Sequence, residues 1–281
     1  MEDVDDLPPE RRRDRIKRYA KKAVTVPLSV RTSDLPKRAA SAVVMVALAG
    51  AALWAGGWLW AVFCVLVALG VLWEWRGLVF RFADSISSRI LWMLAGITYV
   101  SIAAFSLFAV HGQFEGVGSV LMILGAVIAT DIGAYFAGRT IGGPKIAPRI
   151  SPSKTWAGLF GGMVGAAAML ASFPIAWDNG LCRVFYPPAE LPPGFFQFDG
   201  PCSGIIRIGL PETILLWAVI GGALVAIVAQ AGDFFESWMK RKAGMKDSGK
   251  LIPGHGGLFD RVDGLLAVLF ILGIAGYTFS A

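Results

Sequence analysis

The sequence has 281 residues, of which 56% are hydrophobic and only 16% are charged. In soluble domains roughly a quarter of all residues are charged, so this composition excludes an ordinary soluble protein and indicates a membrane protein. The formal net charge of +6 would also suit nucleic acid, but the long apolar segments favour membrane lipids as the partner, and no nucleic acid is expected. Three cysteines without a CxxC pair or a Cys/His cluster argue against a zinc or iron–sulfur site.

Residues 1–38 are a polar tail, acidic at first and then strongly basic. The tail contains no apolar core, so no cleavable signal peptide is expected. Its basic run from Arg11 to Lys22 is typical either of a helix lying on anionic headgroups or of a solvated cytoplasmic tail that fixes topology. We therefore predict two parts, this tail and a membrane-embedded domain over residues 39–281.

The apolar segments predict an all-α, polytopic membrane protein with about seven transmembrane helices, or up to nine if glycines break some of them. Residues 39–80 are apolar enough to cross a bilayer twice, at about 20 residues per crossing. Gly56–Gly57 is the natural turn between those two crossings. The other predicted spans are 90–110, 117–138, 156–177, 214–231 and 265–277.

Two of these stretches contain ionisable residues. Glu74 and Arg76 are expected to mark a membrane interface, with Trp73 and Trp75 as aromatic anchors. Asp131 lies inside an otherwise apolar span, where an ionisable group is a functional candidate by default. It can approach a metal or a lipid phosphate, or bond to a neighbouring helix.

The distribution of basic residues predicts the topology. If the tail is cytoplasmic, only two of the 26 basic residues, Arg183 and Arg207, fall on the outer side. This asymmetry is what the positive-inside rule requires. It places segments 139–155 and 233–263 together on the cytoplasmic side, although phosphate binding would account for part of the same bias.

The long outer connection, residues 178–211, contains Cys182 and Cys202. In an oxidising periplasm the two can form a disulfide, and they can equally stay reduced.

A cluster of hydroxyls and a cation lies in the sequence ISPSKTWAG, directly before a predicted span. A turn followed by Ser153 or Thr155 as helix cap would leave amides free to bind an anion. Lys154 is a candidate phosphate contact, or else an interfacial anchor. Ser151 completes the cluster, and Arg139 is a candidate to hold an anionic headgroup.

The densest polar stretch is residues 232–264, with five acidic and six basic side chains plus His255 between two apolar segments. Asp233, Asp260 and Asp263 offer the hard oxygen ligands that Mg²⁺ prefers. Basic side chains can neutralise phosphate oxygens, and glycines allow the backbone to approach a ligand closely. The candidate phosphate contacts are Lys240, Arg241, Lys246, Lys250, Arg261, Gly256 and Gly257.

Several of these residues admit a second interpretation. Asp233 and Asp260 can be interfacial carboxylates paired with Arg241 or Arg261. His255 can act as a general base, contact a phosphate, or simply occupy a turn. The roles of Glu236 and Asp247 are open, although Glu236 would share a helix face with Asp233.

From Ser237 to Asp263 the pattern S-W-M-K-R, K-D-S-G and P-G-H-G-G-L-F-D-R-V-D resembles the C-terminal signature of phosphatidate cytidylyltransferases. The run S-P-S-K-T at 151–155 is similar to a second element of that family. Such a long set of fixed polar and glycine positions is far more specific than a single glycine motif.

The resemblance implies an enzyme of the inner (plasma) membrane that joins CTP and phosphatidate, giving CDP-diacylglycerol and pyrophosphate for phospholipid synthesis. It implies a site facing the cytoplasm, a two-cation Mg²⁺ site with metal on Asp233 and Asp260, and a homodimer. Asp263 and Asp131 are weaker metal candidates. The residues expected to carry catalysis are Asp233, Asp260, Lys154, His255 and Arg261.

Two other functions remain open from the residues alone. A CTP-dependent polyprenol or lipid kinase would need a similar membrane site, but not the full series of motifs. An ion-coupled transporter could line its path with Asp131 and Asp233, which would leave the basic residues and glycines of 233–263 unexplained.

Overall fold

The computed structural model describes residues 35–113, 116–176, 211–252, 254 and 256–279. This part of the chain is almost entirely helical, which confirms the all-α prediction, with one short hairpin in addition. In chain order the elements are α1 (Leu35–Ala55), α2 (Gly57–Phe82), α3 (Ile86–Gln113), α4 (Val117–Thr140), β1 (Lys145–Ala147), β2 (Ser151–Thr155), α5 (Trp156–Ala176), α6 (Pro211–Lys242) and α7 (Phe259–Phe279).

Five of these helices, α2 to α6, are long and apolar enough to cross a membrane. Helix α1 contributes a shorter apolar stretch, Ala39–Ala55. The predicted total of seven spans therefore stays a prediction. The predicted break at Gly56–Gly57 is confirmed, since α1 ends and α2 begins there. Both glycines have positive φ, 62° and 51°, which side chains with a Cβ rarely adopt.

Helix α5 packs closely against α4 because glycines remove side chains from the contact. A Cβ at Gly161 would overlap the Gly133 carbonyl and the Ala137 methyl group, and a Cβ at Gly165 would overlap the Ala129 carbonyl. Such backbone contact between small residues is a usual way for membrane helices to associate. Because β2 leads directly into α5, this packing also fixes the hairpin against the end of α4.

An aromatic cluster joins α2, α6 and α7. Trp75 is 1% exposed, donates its indole N–H to the Trp92 carbonyl (2.9 Å), and lies 5.8 Å from Phe235 and 5.7 Å from Phe259 between ring centroids. The prediction of Trp75 as an interfacial anchor is therefore wrong, because its side of α2 faces neighbouring helices. Trp73 on the opposite side is 65% exposed, as an anchor would be.

The segment expected to form a turn before α5 is instead a strand. β1 and β2 pair antiparallel, with Lys145 opposite Thr155 and Ala147 opposite Ser151. Of the two possible caps, Thr155 takes the role, since its hydroxyl oxygen accepts a hydrogen bond from the Gly158 amide (3.1 Å). From the hairpin Lys154 reaches Asp233 of α6, while Thr155 caps the start of α5.

Candidate active site

A cavity of about 350 Å³ opens between α4, β2 and α6. It brings together six of the residues singled out by chemistry, although they come from three separate regions of the sequence. Its lining residues are Asp131, Ala134, Tyr135, Gly138, Arg139, Ser153, Lys154, Thr155, Gly158, Gln230 and Asp233.

At the mouth of this cavity Lys154 forms an ion pair with Asp233. The Lys154 ammonium also lies 5.4 Å from the centre of the Phe234 ring, and the Ser237 hydroxyl donates to Asp233 Oδ1 (3.3 Å). The lysine and aspartate side chains are 20% and 34% exposed, so a ligand can reach both. The pair joins β2 to α6 and leaves a cation and a carboxylate facing the same space.

Next to this pair three carboxylates converge. Asp233, Glu236 and Asp263 each bring one oxygen to within 4.8 Å of the others. Gly232 makes this possible, since a Cβ there would lie 2.6 Å from the Asp263 carbonyl oxygen and would push α7 away. Three carboxylates so close repel one another unless protons or cations offset their charge.

Glu236 is the most enclosed member of this acidic group, at 1% exposure. Its Oε2 pairs with Lys240, while Oε1 has no hydrogen-bond partner among the described residues. A buried carboxylate oxygen without a donor is costly. The oxygen donors, their spacing and this unsatisfied atom all fit a bound metal ion.

Lys240 links the acidic group to Asp260. Its ammonium contacts Glu236 and lies 2.7 Å from Asp260 Oδ1, with the lysine side chain only 13% exposed. The sequence predicted Lys240 as a phosphate contact, and in this structure two carboxylates occupy it. The lysine thus holds α6 and the first turn of α7 together.

Asp260 closes the segment that precedes α7. Its Oδ2 accepts hydrogen bonds from the Ser248 amide (2.9 Å) and the Gly257 amide (3.0 Å), and the Ser248 hydroxyl, which lies 2.9 Å away, has one proton to share between Asp260 and Glu74. Burial raises the pKa of Asp260, but contacts with Glu236 and Lys240 and the Ser248 amide outweigh it and hold the pKa below its ordinary value. The predicted metal ligand Asp260 lies outside the acidic group of three and joins it through Lys240.

The other predicted site residues are distributed as follows. Arg139 donates to the Tyr135 hydroxyl (3.1 Å) at the cavity wall, and Ser151 is buried in the hairpin away from the lining. Arg241, Lys246 and Arg261 are exposed and do not line the cavity. Gly256 and Gly257 lie against Asp260. His255 falls outside the described residues.

Two residues near the site were not identified from the sequence. Glu74 was expected to mark an interface, yet it is 3% exposed and bonded to the segment before α7. Gln230, one helical turn before Asp233, lines the cavity at 5% exposure, and its side-chain nitrogen has no partner among the described residues. The sequence does contain a signal that Glu74 is functional, because Glu74 is a carboxylate inside an apolar stretch, as Asp131 is.

The fold and the site define an α-helical membrane protein with a carboxylate-rich polar centre and an adjoining cavity that is lined by both acidic and basic side chains. Residues 78–279 match the family model described as the cytidylyltransferase family. The match spans more than two thirds of the sequence, and the chain belongs to this family.

Curated relatives agree with this membership. A phosphatidate cytidylyltransferase of Brucella suis biovar 1 is 38% identical over 192 residues, which cover 67% of this chain and 58% of the relative. One of Rickettsia bellii is 32% identical over 216 residues, covering 76% and 78%. One of Helicobacter pylori is 36% identical over 168 residues, covering 60% and 50%. The chain thus spans less than two thirds of the Brucella relative that it matches.

Proposed function

We propose that the protein transfers the cytidylyl group of CTP to phosphatidate, giving CDP-diacylglycerol and pyrophosphate. The family model covers residues 78–279, which contain the candidate site, and relatives named for this activity are 38% and 32% identical to the chain. The observation that carries the proposal is the meeting of Lys154 with Asp233 beside two further carboxylates. A cation beside a cluster of oxygen ligands is what two reacting phosphates need.

In this reaction a phosphate oxygen of phosphatidate attacks the α-phosphorus of CTP. A new P–O bond forms there, the bond from the α-phosphorus to the bridging oxygen breaks, and pyrophosphate leaves with the electron pair. A phosphate monoester is already largely anionic near neutral pH, so no side-chain nucleophile or strong general base is needed. The main barrier is repulsion between two polyanions, and the site must offset it.

We infer that Asp233, Glu236 and Asp263, with Asp260 beside them, would hold a divalent cation, for which we propose Mg²⁺, and that its charge would help to neutralise the triphosphate. Asp131 at the cavity wall remains a weaker candidate ligand. Lys154 would exchange Asp233 for a phosphate oxygen when substrate binds. Arg139, Ser153 and Thr155 would contact phosphate or headgroup oxygens from the cavity wall.

The orientation that we propose is seven spans in the plasma (inner) membrane with this site at the cytoplasmic face, where CTP is found. The ion pair between Lys154 and Asp233 supports it, because segments 139–155 and 233–263 must then lie at one end of the helices. The acyl chains of phosphatidate would stay among the membrane lipids while the headgroup enters the cavity. We also propose a homodimer, on the family resemblance.

Purified full-length protein incubated with phosphatidate, Mg²⁺ and CTP labelled at either the α- or the γ-phosphorus tests the proposal. Label from α-labelled CTP should enter the lipid and label from the γ-position should appear in pyrophosphate. Entry of γ-label into lipid would establish a kinase instead. No label in lipid from either position would overturn both and leave transport to be tested.

A further inference from the structure

Helix α2 contains a buried carboxylate that the proposed chemistry does not use. Glu74 is 3% exposed and lies among apolar residues of a helix long enough to span the membrane. Its Oε2 accepts hydrogen bonds from the Phe259 amide (2.8 Å) and the Ser248 hydroxyl (3.0 Å). These partners lie 185 and 174 residues further along the chain. Burying a carboxylate costs free energy, and this cost is accepted where the hydrogen bonds of the carboxylate hold another part of the protein in place.

What it fixes is the connection between α6 and α7. The described residues between 248 and 257 are not helical, and among them the Ile252 amide donates a backbone hydrogen bond to the Gly256 carbonyl (3.0 Å). Ser248 lies within this connection, residues 243–258, and Phe259 follows it as the first residue of α7. Glu74 therefore bonds the connection at Ser248 and the start of α7 at Phe259 to a third helix.

The connection is also shaped around this carboxylate. A Cβ at Gly257 would lie 2.7 Å from Glu74 Oε2 and 2.8 Å from Asp260 Oδ2, and a Cβ at Gly249 would lie 2.6 Å from the Glu74 carboxyl carbon. Neither glycine has a positive φ, so their lack of a side chain serves close approach rather than an unusual backbone.

From Glu74 a continuous chain of polar contacts leads to the acidic group. The Ser248 hydroxyl lies within hydrogen-bonding distance of Glu74 (3.0 Å) and of Asp260 (2.9 Å). Asp260 bonds to Lys240, which pairs with Glu236. A shift of Ser248 would therefore displace side chains at the proposed metal centre, because the groups that link the two are all partly or fully buried.

We propose that Glu74 is a positioning residue, which holds segment 248–257 and the start of α7 so that Asp260 and Lys240 are presented to the acidic group. The proposal rests on the proposed function for its effect on turnover. Its effect on the segment itself does not depend on any reaction. Displacing a site by about 1 Å commonly costs about 100-fold in rate.

The test compares Glu74→Ala with Glu74→Gln in the full-length protein in detergent. The glutamine carbonyl can replace Oε2 as acceptor for both donors, and its amino group would take the position of Oε1, which has no partner among the described residues. Asp84→Asn is a matched control, because Asp84 is an exposed carboxylate just after α2. Four quantities are measured, namely kcat, KM, the melting temperature, and the rate of trypsin cleavage after Lys246 and Lys250.

We expect Glu74→Ala to lower kcat by about 10- to 100-fold with a smaller change in KM, and to speed cleavage at Lys246 and Lys250 by about tenfold, since cleavage follows local opening. Glu74→Gln should restore most of both, and Asp84→Asn should match the parent protein. Ser248→Ala removes one donor and should speed cleavage at the same two lysines, which keeps the test decisive if Glu74→Ala does not fold.

Unchanged cleavage in Glu74→Ala or Ser248→Ala would overturn the proposal. So would cleavage that rises throughout the chain together with a large fall in melting temperature, since that indicates general unfolding. If the parent protein transfers no cytidylyl group, the proposed function fails, and local cleavage still decides whether Glu74 positions this segment.

Discussion

The interaction between Lys154 and Asp233 is the residue-scale feature on which the proposed binding of substrate rests. Both side chains are partly exposed, so the ion pair contributes little to folding and can open for a ligand at small cost. A cation that already faces a carboxylate beside a cavity is available for a phosphate oxygen. Its removal should therefore affect binding more than stability.

We predict that Lys154→Ala raises the apparent KM for CTP by about tenfold, the effect of one charge-assisted contact, while the melting temperature stays nearly unchanged. Initial-rate kinetics and a thermal unfolding assay measure the two. Lys145→Ala is the control, because Lys145 is an exposed lysine of the same hairpin that does not line the cavity. Equal effects of the two substitutions would contradict a specific contact.

The carboxylates near the site divide into those in the acidic group and Asp260, which bonds to the connection. Asp233→Asn and Asp263→Asn should lower turnover by about 100-fold or more and raise the Mg²⁺ concentration needed for half-maximal rate. Chelator should stop the reaction in the parent protein, and activity that survives it would exclude a divalent metal.

Asp260→Asn should nearly abolish turnover with the protein still folded. If Asp260 also binds the metal, the Mg²⁺ requirement rises as it does for Asp263→Asn. If it only holds the connection, the requirement stays constant and trypsin cleavage at Lys250 increases. Near-normal activity of Asp260→Asn would exclude both the metal-binding role and the role in holding the connection.

At the scale of the elements, glycine contacts between α4 and α5 set how closely the hairpin approaches the acidic group. A side chain at Gly161 has no free space, because Gly133 and Ala137 already fill it. The helices must then separate, and separation moves Lys154 away from Asp233.

Gly161→Ala should destabilise the protein by about 1–3 kcal/mol, the usual cost of overpacking, and should also raise the KM for CTP. Thermal unfolding in detergent and initial-rate kinetics test this. Gly50→Ala in α1 is the control, since a Cβ there meets nothing within 4 Å. A stable Gly161→Ala variant with normal kinetics would show that this contact controls neither the stability of the protein nor the binding of CTP.

At the scale of the whole molecule, one end of the helix bundle gathers the chemistry. Segments 139–155 and 233–263 meet there through Lys154 and Asp233, and the proposed topology assigns both to the side that would carry nearly all basic residues. The proposed topology places this end in the cytoplasm and the connection 178–211, of which residues 178–210 lie outside the described residues, on the other side.

Thiol labelling in intact cells tests this arrangement. After reduction, a membrane-impermeant maleimide should label Cys182 and Cys202 from outside, whereas a Lys145→Cys variant should gain label only after permeabilisation. Cys64 is buried and serves as an internal negative control. Labelling of position 145 from outside would reverse the proposed orientation.

The sequence by itself determined where most of the helices lie and which polar residues are candidates for the site. Hydrophobic runs give the positions of membrane helices because each must match the thickness of a bilayer, and Gly56–Gly57 marks a break through its backbone preference. The pairing of 139–155 with 233–263 at one end was also predictable, because charge is confined to one side of the membrane.

Only the tertiary structure decided which polar side chains contact one another. In the structure Glu236 lies beside Asp233 and Asp263, and Asp260 accepts hydrogen bonds from Ser248 and Gly257. The side chains of Glu74 and Trp75 are buried. These outcomes depend on which faces of α2, α6 and α7 meet, across separations of up to 185 residues. Local pattern does not encode such contacts, since a carboxylate at a membrane interface and one buried against a neighbouring helix look alike in sequence.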